Sequence, residues 1–198
     1  RELLRPLATA ATPTATTLVA WASVAQADPF LPPGQARDRA RRAYERAGQL
    51  DRRAYFPALQ LARLTAEDER GDEALQMLRT VQTRFADNPE VESELADRLL
   101  QRNWEGEAVG ILSRARERRP GACWPVRMLS TVAQRHGDGT REAGLAEDIR
   151  RCDALSDTAV NVYTRMRRYA DAARELDRLL VDDPEGRGLR RSLMEIAR

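Results

Sequence analysis

"GDEALQMLRTVQTRFADNP", residues 71–89, is the stretch on which the reading of this chain turns. A glycine–acid turn leads into a helix with a small residue, Ala74, near its start. Apolar residues follow at every third or fourth position, among them Leu78 and Val81, which is the helical period and predicts a helix over 72–86. Asn88-Pro89 closes the stretch as an N-cap followed by a proline at the first helical position, where the missing N–H costs nothing. Asp183-Pro184 has the same form.

The layout returns along the chain. Small residues Ala40, Ala74, Ala108, Ala143 and Ala172 stand near the starts of successive helices, at spacings of 34, 34, 35 and 29. Four residues on come Tyr44, Leu78, Leu112, Glu147 and Leu176, and three further Ala47, Val81, Ala115, Arg150 and Leu179. Glu147 and Arg150 break the apolar pattern of the fourth unit. Moving its register by one brings Ala146 and Ile149 into place and predicts a one-residue insertion in its turn, "HGDGT". Helices are expected at 2–11, 14–27, 35–49, 54–68, 72–86, 90–102, 105–118, 123–136, 141–154, 158–167, 170–182 and 187–197, with no strand-like alternation. Gly71, Gly137 and Gly139 fall in the turns, where positive φ is cheap for glycine.

Units of about 34 residues, each helix–turn–helix with a small residue where two helices cross, resemble the tetratricopeptide-repeat family. "LQLARLTAEDERGDEALQMLRTVQTRF", "ELADRLLQRNWEGEAVGILSRARERRP" and "VYTRMRRYADAARELDRLLVDDP" carry the match, which spans residues 34–198. Residues 1–33, with the long connection "DPFLPPG", read as atypical N-terminal helices or a capping repeat. The expected fold is an all-α solenoid of antiparallel helix pairs, four to five repeats, because one pair cannot bury its apolar stripe alone. The resemblance implies a right-handed superhelix with the first helix of each pair on the concave side, and a final helix "LRRSLMEIAR" that caps or continues the array.

Composition is that of a folded, helix-rich chain: 198 residues, 42% hydrophobic and 32% charged, with a net charge of +2. All 33 basic residues are arginine, which points to a GC-rich genome more than to a function. The densest runs, Arg37–Arg53, Arg114–Arg119 and Arg165–Arg168, lie among Asp and Glu, as on solvated helix faces with i,i+4 pairs. A nucleic-acid site would show as a concentrated basic patch, and none is expected. No stretch approaches the ~20 apolar residues of a membrane span; "TTLVAWASVAQA" is too short. The chain opens on Arg1 rather than Met, as a piece or processed form of something longer would.

No catalytic constellation is visible, and neither catalysis nor a cofactor is expected. The single histidine, His136, ends a helix, where a cation-capable ring suits the dipole. No second His and no close Cys pair supports a metal. There is no glycine-rich phosphate loop and no G-x-S-x-G. Carboxylate groups such as Glu67-Asp68-Glu69 and Asp182-Asp183 sit at helix ends and turns as solvated charges. Trp21 is expected in the core, Trp104 in the turn before "EGEAVGIL", and Trp124 in the core or in a groove.

Cys123 lies 15 residues before Asp138 and Cys152 lies 14 after it, at the same height on two antiparallel helices. A disulfide needs Cα atoms within about 7 Å, and two small buried thiols are the alternative. A bridge would indicate a periplasmic or extracellular setting, its absence a cytoplasmic one.

In the family, the concave groove takes an extended peptide or a helix of a partner. Carried over to this sequence, the groove positions are Phe56, Leu59 and Arg63, then Glu90, Ser93 and Asp97, then Arg127 and Thr131, then Asp157, Asn161 and Arg165. Asn161 and Arg165 are similar to the polar pairs with which some relatives hold a terminal carboxylate. The matching Lys and Asn are absent and Asp97 has the wrong sign, so no such clamp is expected. The resulting expectation is a non-catalytic interaction scaffold for a protein or peptide, with a homodimer through an exposed end left open. The alternative is an accessory or regulatory region of a longer enzyme or signalling protein.

Overall fold

The structure, a computed structural model, describes residues 13–182. The helices expected at 2–11 and 187–197, and the Asp183-Pro184 cap, lie outside them. The described residues form ten helices and no strand: α1 (Ala15–Gln26), α2 (Pro33–Leu50), α3 (Phe56–Glu67), α4 (Gly71–Arg84), α5 (Pro89–Gln101), α6 (Glu105–Arg118), α7 (Cys123–Arg135), α8 (Gly139–Cys152), α9 (Thr158–Arg165) and α10 (Tyr169–Asp182). They follow one another as five consecutive pairs, the all-helical architecture expected. The chain divides between Arg98 and Leu99, within α5, into two compact units.

Local chemistry sets the helix starts. Asn88 Oδ1 accepts the N–H groups of Glu90 (3.0 Å) and Val91 (3.2 Å), and Pro89 opens α5, so the cap and the proline act together. Asp138 caps α8 through the N–H of Arg141 at 3.0 Å, and Thr14 caps α1 through that of Thr17 at 3.2 Å.

The turns inside the pairs differ from expectation. Gly71 and Gly139 are the first residues of α4 and α8, not the left-handed residues of their turns. The left-handed position falls two residues earlier, on Glu69 (φ 61°), Asn103 (φ 58°), Gly137 (φ 65°) and Arg167 (φ 58°). The following residue closes a six-residue hydrogen-bonded ring each time: Arg70 N–H to Thr65 O, Trp104 to Leu99, Asp138 to Ala133 and Arg168 to Tyr163, at 2.8–3.2 Å. This is the Schellman arrangement, which satisfies carbonyls that a helix end leaves unpaired.

These turns fix the register. The left-handed residues are spaced 34, 34 and 30 apart (69, 103, 137, 167), so the fourth unit has no inserted residue. Its counterpart of Ala74 and Ala108 is Glu142, not Ala143. Ala146 and Ile149 fill the next two core positions, at 0% and 1% exposure. The short interval is taken up in α9, which has 8 residues where α3, α5 and α7 have 12 to 13. That deficit is about one helical turn of 3.6 residues, so the deletion keeps the apolar face in phase.

In the first unit, Ala22, Ala40, Ala43, Tyr44 and Leu64 form a core cluster against which Val19, Trp21, Phe56 and Leu61 pack. Tyr44 is buried with its hydroxyl satisfied by Gln26 Oε1 at 2.9 Å. Ala74 is fully buried, with Leu75, Leu78 and Val81 on the same face of α4; each buried Leu contributes about 1.5–3 kcal/mol. In the second unit, Val160, Ala172, Leu176 and Leu179 make one cluster, and Ala146, Ala159 and Val162 another, with Tyr163 packed against both.

Candidate functional site: a polar cleft between the first helices of the second unit

The helices α7 and α9 are each the first of their pair, and between them lies a cleft of about 250 Å³. Arg127, Ser130, Thr131 and Gln134 reach it from α7, Glu142 and Ile149 from α8, and Thr158, Asn161 and Arg165 from α9. The α7 positions are spaced 0, +3, +4 and +7, one face of a helix. Thr158, Asn161 and Arg165 repeat the spacing on the shorter α9. The opposite face of α7 carries Val126, Leu129, Val132 and Ala133 into the core, so the amphipathic pattern itself aims the polar residues at the cleft.

The charges are arranged in pairs. Arg165 donates from Nη2 to Glu142 Oε1. Glu142 is 5% exposed and occupies the position where α4 and α6 carry Ala74 and Ala108. A carboxylate there is tolerable only with a cationic partner, because burying a lone charge costs several kcal/mol. Arg127 donates to Asp153, the residue that caps α8, and the Thr131 hydroxyl donates to the Arg127 carbonyl at 3.1 Å. Among the described residues no buried side-chain nitrogen or oxygen lacks a partner.

Immediately beside the Arg127–Asp153 pair, a disulfide joins Cys123, the first residue of α7, to Cys152, the last of α8, with Cα atoms 5.5 Å apart. Both cysteines are half-buried. The bond ties the open end of the α7–α8 hairpin, opposite its turn at 136–138.

Of the positions carried over from sequence, Arg127, Thr131, Asn161 and Arg165 thus share one cleft, and Asp157 is exposed just before α9. In the first unit, Leu59 is fully buried and belongs to the core, which removes it from any groove. Phe56 packs against the core cluster, edge-on to Tyr44 at 6.3 Å. Arg63 donates to Glu94 at 2.7 Å, and Glu94 also accepts from Arg98 at 3.0 Å. Ser93 is half-buried, and Glu90 and Asp97 are exposed.

Elsewhere, the arginine-rich faces are laced with carboxylates. Arg37 and Arg41 both reach Asp68, and Arg116 and Arg151 share Asp148. His136 caps the end of α7 and its ring contacts Glu105. Trp21 packs on the core, Trp124 is half-buried and Trp104 is 47% exposed. Among the described residues there is no group of three or more His, Cys, Asp or Glu placed to hold a metal, and no helix is long and apolar enough to cross a membrane.

Sequence reasoning missed Ser130, Gln134, Glu142 and Thr158. The helical spacing from Arg127 pointed to Ser130 and Gln134, and a strict 34-residue count from Ala108 pointed to Glu142. Counting on Ala143 instead hid the one buried acid of the cleft.

The paired helices and the recurring turn define the tetratricopeptide-repeat fold, and solved structures agree. The chain superposes on YrrB, described as a tetratricopeptide-repeat protein with an unusual peptide-binding site, at a TM-score of 0.58 with 17% identity over 91% of each chain. TTC0263, a thermophilic tetratricopeptide-repeat protein from Thermus thermophilus, gives 0.59 and 14% over 93% of this chain and 99% of that one. MamA from Desulfovibrio magneticus RS-1 gives 0.63 and 10% over 87% and 97%. No family model matches the sequence, and no curated protein is similar to it in sequence. The fold is one typically used as a protein–protein interaction scaffold.

Proposed function

We propose that the chain is a non-catalytic scaffold that holds a peptide segment of a partner protein in the α7–α9 cleft. The observation that carries this reading is the convergence of Arg127, Thr131, Asn161 and Arg165, with Ser130, Gln134 and Thr158, on one cleft built by helices already packed in place. Hydroxyl and amide groups at helical spacing suit the N–H and C=O groups of an extended peptide. With both arginines already paired to carboxylates, the cleft favours a segment with polar side chains over one of a single charge. Because the helices are ordered before binding, the ordering cost falls mainly on the peptide. The peptide-binding site reported for YrrB supplies the ligand class by analogy of fold.

The test is selection of peptides from a displayed random library, followed by affinity measurement against wild type and an Asn161→Ala/Thr131→Ala variant. Asn161 and Thr131 are exposed, so the variant keeps its fold. The expected result is a loss of about tenfold or more, or about 1.4 kcal/mol. Peptides that bind both proteins equally would move the site off this cleft and end the proposal.

A further inference from the structure

The Cys123–Cys152 bond and the Arg127–Asp153 ion pair link the same two helix ends. Cys123 opens α7 and Arg127 follows one turn later on the cleft side. Cys152 closes α8 and Asp153 is the next residue. The bond and the ion pair thus span the same gap between the end of α8 and the start of α7. Both cysteines are half-buried rather than sealed in the core.

We propose that this disulfide is a redox control on the cleft, holding the Arg127 wall ordered when oxidised and releasing it when reduced. The inference rests on the reading of the cleft as a peptide site. The reductant is a small or protein dithiol. Its thiolate attacks one sulfur of the pair, the Cys123–Cys152 bond breaks, and the departing sulfur leaves as a thiolate and takes up a proton. The second thiol of the reductant then displaces the remaining cysteine. Two protein thiols and one oxidised reductant result, two electrons having passed to the protein.

Reduction leaves the Schellman turn at 136–138 and the apolar core of the hairpin in place. The change is confined to the free ends, where α7 begins and α8 stops. Asp153 is then no longer set opposite Arg127, and a peptide must order both on binding, which weakens it.

The experiment follows amide hydrogen exchange along the full chain, oxidised and after titration with a dithiol, beside a Cys123→Ser/Cys152→Ser variant. Exchange is expected to quicken about tenfold in residues 127–128 and 147–153 while α10 and the first unit stay unchanged. The serine variant should match reduced wild type and ignore the dithiol. Peptides selected on the oxidised chain should bind the reduced chain at least about fivefold more weakly. Unchanged exchange in both segments, thiols released only on unfolding, or loosening throughout the second unit would each overturn the control. If the serine variant fails to fold, the wild-type titration alone decides. If no peptide binds the oxidised chain, the functional reading fails while the exchange data still judge the switch.

Discussion

The pair α3–α4 and the pair α7–α8 are built on the same 34-residue frame and solve it with opposite chemistry. Their turns match in hydrogen bonding, Arg70 to Thr65 in one and Asp138 to Ala133 in the other. At the crossing, α4 carries Ala74, fully buried, whereas α8 carries Glu142, 5% exposed and paired with Arg165. At the open end, the rings of Tyr55 and Phe85 meet edge-on at 6.2 Å in the first, and a disulfide joins Cys123 to Cys152 in the second. The repeat thus requires that these positions be filled and satisfied, and leaves open whether methyl groups, rings, ions or a covalent bond do it. The pair that departs from the apolar solution is also the one that helps to line the polar cleft.

Exchanging the crossing residues breaks this comparison most severely. Ala74→Glu places a carboxylate in the first unit with no arginine provided. Counted from the left-handed residues, Arg165 stands two before Arg167, and the residue two before Asn103 is Gln101, so no arginine holds that place. Urea unfolding should show a loss of at least about 3 kcal/mol, the scale of an uncompensated buried charge. The reverse change, Glu142→Ala, frees an Arg165 side chain that is already 44% exposed, and should stay within about 1 kcal/mol of wild type. Equal penalties for the two would show that the crossing does not distinguish the units.

The open ends give the next largest effect. Cys123→Ser/Cys152→Ser removes a bond closing a separation of 29 residues and should cost about 2–4 kcal/mol. Phe85→Ala, at a half-buried position, should cost about 1–2 kcal/mol through lost area and the ring pair. Chemical denaturation of each, with the two units followed separately, checks the order. If losing the ring destabilises more than losing the disulfide, the second unit draws little from its covalent tie.

How much of this was legible in the sequence follows the same division. Apolar period placed the helices within a few residues, and Asn88-Pro89 marked a helix start that the hydrogen bonds bear out. Both are local signals. The register of the fourth unit was misread because an alanine, Ala143, sits one residue past the true crossing and looks correct. Only Arg165, 23 residues away, makes Glu142 acceptable there. Leu59 was misplaced for a related reason: a helix of a solenoid is covered on more than one side, and spacing alone does not say which side is open.

The turns offer a smaller and reciprocal test. A left-handed backbone costs an L-residue about 1–2 kcal/mol relative to glycine. Glu69, at φ 61°, bears that cost in the first unit, and Gly137, at φ 65°, escapes it in the second. Glu69→Gly should raise stability by about 0.5–1 kcal/mol, less than the full strain because glycine also loosens the unfolded chain. Gly137→Ala should lower it by about 1 kcal/mol, and from backbone strain alone, since a Cβ there meets no atom within 4 Å. Thermal melts of the two variants should move in opposite directions. A shift of the same sign in both would mean that the turn tolerates either hand of residue.

The smallest expected effect compares two ion pairs at corresponding places in the turns. Arg70 pairs with Glu73 in the first turn of α4, and Arg168 with Asp171 in the first turn of α10. Asp171 also accepts from Arg174, where the α4 helix has Gln76. The hydrogen bond from Arg168, with the charges of both arginines, holds the Asp171 carboxyl below its usual range. A carboxylate whose folded pKa is depressed contributes stability that is fully present above its unfolded pKa. That stability fades as pH falls through the ordinary Asp range toward the folded value. Asp171→Asn should therefore lower the melting temperature slightly at neutral pH and converge with wild type in acid. In about 1 M salt, where the screening length is about 3 Å, the neutral-pH difference should largely vanish. A gap that persists unchanged in acid would mean that Asp171 acts through its position at the helix N-terminus and its packing, not through its charge.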